Sequence, residues 1–327
     1  MSSNSFTVRL KILTPVHIGS GETVSILDYF LEAGQLCRVD IAGLFSDPDF
    51  VSIKDKFLQS AASGQAIDKL LPKELLRKHI LYRIPVSPSA RNTNQIEVRL
   101  FIQSAGRVYI PGSSLKGAIL AALCYDVLKQ SDYHTLSSIL EGWEKENRRG
   151  KKTREYEDPL NIVLPALIDA GDLQLKKFTR WLDVTDSDFK NPSDALELSL
   201  ARVIGARRGV ILVLYETLRP GITFNLTLRI PPQSKLTPET LLERVNEFYR
   251  KVLEKDRQPT DVQVNSSRVL IRLGQGSGMF ATALLILAQE LNLTHIYRLP
   301  KVDTRIGPRT RKRIGSIPMG WAELEVV

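Results

Sequence analysis

The chain is poor in cysteine and in aromatic residues, and it has no long apolar run. Its two cysteines, Cys37 and Cys124, sit in apolar stretches with no CxxC spacing and no histidine at ligand spacing. Neither a disulfide framework nor a zinc site is supported. Aromatic residues make up 7% of the chain and none of its strand-like segments is rich in them, so base stacking is expected to be a minor part of any nucleic-acid contact. No apolar run reaches the roughly 18 residues that a spanning helix needs, and the N-terminus lacks a basic region followed by an apolar core. The sequence therefore points to the cytoplasm and to no resident cofactor.

What is present is a large apolar fraction and an excess of basic charge. With 327 residues, 43% of them hydrophobic, the chain can bury a sizeable core and is long enough for two domains. Lys and Arg outnumber Asp and Glu by 45 to 36, a formal charge of +9 that favours an anionic partner.

Period-two alternation marks several strands. Phe6, Val8, Leu10 and Ile12 alternate with Thr7, Arg9 and Lys11, and the run stops at Thr14-Pro15. Short strands over 24–31 and 35–41 flank Gly34, and 50–81 reads as mainly helical. Ile96, Val98, Leu100 and Ile102 alternate again before Gly106, then Val108 to Ile110 leads into helical spacing from Leu115 to Leu128. The second half repeats this order. Val210 to Tyr215 and Ile222 to Ile230 are strands around Pro220-Gly221. A helix follows with Thr237 as N-cap and Pro238 at its first position, then a strand ending at Leu273, a helix near 279–291 and a last strand near Ala322 to Val326. The economical architecture is α+β, two ferredoxin-like βαββαβ domains at 1–130 and 206–327, separated by a helical and loop insertion at 131–205. Within the insertion, 144–158 is a mixed charge run that reads as an exposed loop.

Five segments carry candidate chemistry. Ile110-Pro111-Gly112-Ser113-Ser114-Leu115-Lys116-Gly117 joins a strand to a helix and gathers free N–H groups, two hydroxyls and an ammonium, which suits a phosphate. The plainer alternative is a helix cap by Ser113 or Ser114 with Lys116 solvated. The lysine precedes the second glycine, so this is not a Walker loop. Gly274-Gln275-Gly276-Ser277-Gly278 again sets glycines between strand and helix, where backbone can approach a ligand closely. The third glycine of a dinucleotide fingerprint would fall at Met279, which argues against a Rossmann enzyme. His17, in a loop with Gly19, Ser20 and Gly21, either stacks on a base, transfers a proton or is structural. Finally, Arg202, Arg207 and Arg208, and Arg305, Arg309, Arg311, Lys312 and Arg313, form two loop-like basic clusters that are either solvated or matched to a polyanion.

Thr14-Pro15-Val16-His17-Ile18-Gly19-Ser20-Gly21, Ile110-Pro111-Gly112-Ser113-Ser114-Leu115-Lys116-Gly117 and the late Gly274–Gly278 turn, in that order, resemble the RAMP proteins, a repeat-associated RNA-binding family. Tyr215–Gly221, Pro308-Arg309-Thr310 and Pro318-Met319-Gly320-Trp321 look like the Csm-type subunits that cap the 3′ end of the guide RNA in type III-A CRISPR complexes. The resemblance implies a non-catalytic subunit that binds crRNA, supports its maturation, meets target RNA in the assembled complex and stacks on other Csm subunits, the backbone RAMP subunit above all. RNA contacts are expected from His17, Gly19, Ser20, Ser113, Ser114, Lys116, Arg207, Arg208, Gly274, Gln275, Gly276, Ser277, Arg309, Arg311 and Lys312. The rivals are a metal-independent, repeat-cleaving endoribonuclease using His17, a backbone or 5′-tag-binding RAMP subunit, and an unrelated nucleotide-binding enzyme.

Overall fold

The computed structural model describes residues 4–129, 134, 137–138, 141, 182–206, 209–230, 236–256, 268–282, 285–295 and 311–327. The charge run at 144–158 lies outside them. Two larger sheets organise the molecule. In the first, of five strands, β1 (Asn4–Ile12) lies between β12 (Thr223–Ile230) and β16 (Trp321–Val326), with β13 (Val269–Arg272) and the two-residue β9 (Asp183–Val184) at the edges. β1 is antiparallel to both neighbours, as β12 is to β9. Alternation explains the burial: Val8, Leu10 and Ile12 face the core on one strand and Phe224, Leu226, Leu228 and Ile230 on the next, all at most 2% exposed.

Two 18-residue helices, Gly112–Lys129 and Pro238–Lys255, belong to this layer. The second begins as its sequence requires, with Thr237 and Thr240 closing a capping box and Pro238 in the first turn. Its apolar face, from Leu241 to Val252, is buried. The Tyr249 hydroxyl donates to the Ala118 carbonyl at 3.0 Å, tying the helices together.

The second sheet has six strands in the order β15 (Ile317–Pro318), β14 (Arg311–Ile314), β10 (Leu196–Ala206), β11 (Gly209–Leu218), β6 (Val98–Phe101) and β2 (Gly19–Val24). A three-stranded sheet of β3 (Tyr29–Glu32), β4 (Gln35–Val39) and β5 (Ile80–Pro85) carries a separate core around Phe30, Leu44, Phe50, Phe57 and Leu76. Ala33 and Gly34, both at positive φ, form the tight β3–β4 hairpin. The 50–81 stretch is helical in short pieces, and its end enters β5.

The sheets cross the divisions expected at 130 and 206. Strands from before residue 130 and from after residue 206 share both large sheets, and β10, which runs to Ala206, occupies the end of the stretch expected to be helical and looped. The physical reason is that period two identifies a strand but not its partner.

Candidate nucleic-acid interface

β1 ends at Ile12; just beyond it the Thr14 hydroxyl oxygen accepts from the Trp321 N–H at 2.9 Å, while the Gly320 N–H donates to the Pro15 carbonyl at 3.0 Å. The loop that follows is thus fastened to the start of β16. His17 in this loop is 2% exposed, and its Nδ1 lies 2.7 Å from the Glu216 carbonyl oxygen. Nδ1 therefore carries the proton and donates it. The ring is covered by Tyr215, with centroids 4.4 Å apart, and by the edge of Phe101. Burial, with Lys312 and Arg99 adding repulsion, holds its pKa down at about 4, against the raising effect of the Glu216 hydrogen bond. A neutral imidazole boxed in by two aromatic rings does not offer a face to a base. The stacking role is thereby corrected to a structural one.

The Gly274–Gly278 turn packs on this loop. The Gln275 N–H donates to the His17 carbonyl at 2.9 Å, and a Cβ on Gly274, at φ +63°, would lie 2.2 Å from that same oxygen. A Cβ on Gly276 would lie 2.0 Å from the Met319 carbonyl oxygen. The close approach that these two glycines permit is therefore to the chain's own backbone. Lys312 Nζ bonds Gln275 Oε1, and the Arg99 guanidinium sits 5.7 Å from the Tyr215 ring centroid. Burial and the nearby Arg99 charge lower the Lys312 pKa. The outer rim of the assembled site is Gly19, Ser20, Gly274, Gln275 and Arg99, all exposed, with Lys312 half-buried and Ser277 half-buried beside it. Arg99 was missed in the sequence although alternation in β6, with Val98 and Leu100 inward, points it outward.

Behind the rim, Glu216 is fully buried. Tyr82 donates to its Oε1 at 2.6 Å and the Phe101 N–H to its Oε2 at 2.9 Å, yet burial outweighs both and raises its pKa to about 7.

The Gly112–Lys129 helix start is built differently from either sequence expectation. The Gly112 N–H donates to Asp186 Oδ1 at 2.7 Å and the Ile110 N–H to Ser187 Oγ at 2.9 Å. The helix end thus already holds a carboxylate, supplied by a segment distant in sequence. Ser113 is exposed, and Ser114 and Lys116 are half-buried. Asp186→Ala is expected to remove about 1 kcal/mol of stability, the usual worth of an N-terminal cap, readable as a lowered urea midpoint.

Arg207, Arg208 and Arg309 lie outside the described residues. Arg311 belongs to a buried ion cluster, sharing Asp256 with Arg272, whose Nη1 stands 2.9 Å from Asp256 Oδ2. It is thus built into the core, not set at the rim with Lys312. Among the described residues no three of His, Cys, Asp and Glu are grouped to hold a metal ion, and no helix is long and apolar enough to cross a membrane.

A family model described as the RAMP superfamily matches residues 9–316. The chain is 33% identical over 190 residues to "CRISPR system Cms protein Csm5" of Methanocaldococcus jannaschii, covering 55% of this chain and 42% of that protein. It is 28% identical over 179 residues to the protein so described from Streptococcus thermophilus, covering 49% and 50%. The matched region thus spans half or less of these relatives' own length. Among solved structures, a chain of a "Csm-crRNA-target RNA ternary complex in type III-A CRISPR-Cas system" superposes with TM-score 0.71 at 22% identity, covering 98% of this chain and 100% of that one. The crystal structure of "T.onnurineus Csm5" gives 0.66 at 22% identity, covering 96% and 99%.

Proposed function

The chain belongs to the RAMP superfamily, and from that premise we propose that it is a crRNA-binding, non-catalytic subunit of a type III-A CRISPR (Csm) complex that caps the 3′ end of the guide and supports its maturation. The observation that carries this is the convergence of three separated motifs. The His17 loop, the Gly274–Gly278 turn and the Pro318–Trp321 segment fasten to one another beneath a rim that presents Arg99 and Lys312. Phosphate neutralisation there supplies affinity without sequence choice. The partners are crRNA, target RNA in the assembled complex, and other Csm subunits, with the backbone RAMP subunit foremost.

The same reading covers the fold. β1, the Gly112–Lys129 helix, β9, β12, the Pro238–Lys255 helix and β16 follow a βαββαβ path with spatial order β16-β1-β12-β9, which is the ferredoxin-like order. One such unit is therefore assembled from both ends of the chain, and the second is sought in the six-stranded sheet.

His17 is poorly placed as a general acid, because burial keeps it neutral until far below physiological pH. Incubating the purified chain with CRISPR-repeat RNA tests the proposal. Salt-dependent binding without cleavage is expected, and His17→Ala should leave cleavage by the whole complex near wild type at matched assembly. A loss of about 10²–10⁴ in rate would instead promote the endoribonuclease.

A further inference from the structure

Arg202 and Arg313, one from each basic cluster of the sequence, meet across one strand pair. β10 and β14 run antiparallel with Arg202 directly opposite Arg313. Directly opposed residues of such a pair stand on the same face with Cβ atoms about 5 Å apart, where like charges repel. Among the described residues nothing compensates that repulsion. Arg313 is 9% exposed, and its Nε and Nη2 are buried without a hydrogen-bond partner among the described residues. Arg202 is exposed and has no ion pair among the described residues. The carboxylate that serves β14, Asp256, is already shared by Arg311 and Arg272. A buried guanidinium with two idle nitrogens is a costly arrangement in the absence of an anion.

We propose that Arg202 and Arg313 form an anion site that grips one phosphodiester group of single-stranded RNA. A guanidinium presents a planar fork that matches phosphate oxygens, which a lysine does not. No described acceptor holds the Arg313 Nε or Nη2, so the side chain turns its fork outward without breaking a protein hydrogen bond, and Arg202 closes on the same phosphate from the surface. RNA is favoured over an acidic protein segment by what adjoins the pair. Ile204, on the same strand face as Arg202, is 41% exposed and offers an apolar seat for a ribose or base beside the phosphate grip. This inference rests on the RNA-binding role proposed above and adds the position of one phosphate contact.

The test uses the full chain, a fluorescent single-stranded RNA of repeat sequence, and Arg202→Gln, Arg313→Gln and the double variant, titrated over a range of salt. Each single variant is expected to reduce the slope of log K against log salt by about 0.7, and the double by no more, because both forks hold one phosphate. An unchanged slope for Arg202→Gln, with wild-type RNA binding intact, overturns the site and leaves the RNA-binding role standing. Absence of RNA binding by the wild type overturns both. Thermal melting without RNA gives an independent check on Arg313. An unpartnered buried cation predicts that Arg313→Met melts no lower than wild type, and a markedly lower midpoint would overturn the assignment.

Discussion

Gly276→Val is expected to cost about 3 kcal/mol or more of folding stability, because overfilling a closely packed site forces backbone apart. The atom that a side chain would first meet is not a flexible tip. A Cβ there lies 2.0 Å from the Met319 carbonyl oxygen and 2.8 Å from the Gly320 nitrogen. Those atoms are themselves committed. The Leu273 N–H donates to the Gly320 carbonyl at 2.8 Å and the Gly320 N–H to the Pro15 carbonyl at 3.0 Å. Pushing the turn away therefore loosens the junction of β13, β16 and the His17 loop together. From the sequence alone the same glycine reads as a place for RNA backbone to approach, and its loss as a binding defect in a sound fold. Urea unfolding separates the two outcomes: a lowered midpoint is expected, and an unchanged midpoint with lost RNA affinity would contradict it.

The second large effect is a cancellation that single variants expose. His17 has its pKa depressed from 6.5 to about 4, first by burial, so between those values the unfolded chain takes up a proton that the folded chain refuses. Its contribution is full above pH 6.5 and is lost as pH falls toward 4, by about 3 kcal/mol at 1.36 kcal/mol per pH unit. Glu216 has the opposite sign. Burial raises its pKa from 4.5 to about 7, so the folded chain holds a proton that the unfolded chain releases, and stability rises as pH falls from 7 to 4.5 by about the same amount. Over the shared window the two trends offset each other, and wild-type stability should change little on their account. Glu216→Gln keeps an oxygen to accept from the Phe101 N–H and removes the compensating trend. It should lose about 3 kcal/mol between pH 7 and pH 4.5, whereas His17→Gln should gain over the same interval. Urea unfolding at the two pH values checks this, and variants that track the wild type would contradict it.

Local signals were legible in the sequence, and long-range partnerships were not. Strict alternation marked β1 and β12 because each has one face on the core, and Thr237-Pro238 marked a helix start because capping is settled within one turn. The alternation of Leu196, Leu198 and Leu200 could have marked β10, which instead falls in a stretch expected to be helical and looped. Nothing local indicates that β1 sits between β12 and β16, or that Asp186 reaches the start of the Gly112–Lys129 helix. The site shows the same division. Glycine-rich turns stood out as places of close approach, yet only the fold reveals that Gly274 and Gly276 approach the chain's own carbonyls and that His17 lies beneath the surface. Conversely, the placing of Arg99 beside Tyr215 and the facing of Arg202 by Arg313 depend on strand register, which alternation alone leaves open.

The most direct test of the central claim is to purify the tagged full chain under native conditions from cells that carry its neighbouring genes and a repeat array, and to sequence the RNA it retains. Retention of CRISPR guide RNAs, released by raising salt and accompanied by the backbone RAMP subunit, is the result expected for a phosphate-gripping cap on an assembled complex. Retention of no RNA, or of RNA without repeat-derived sequence, would contradict it.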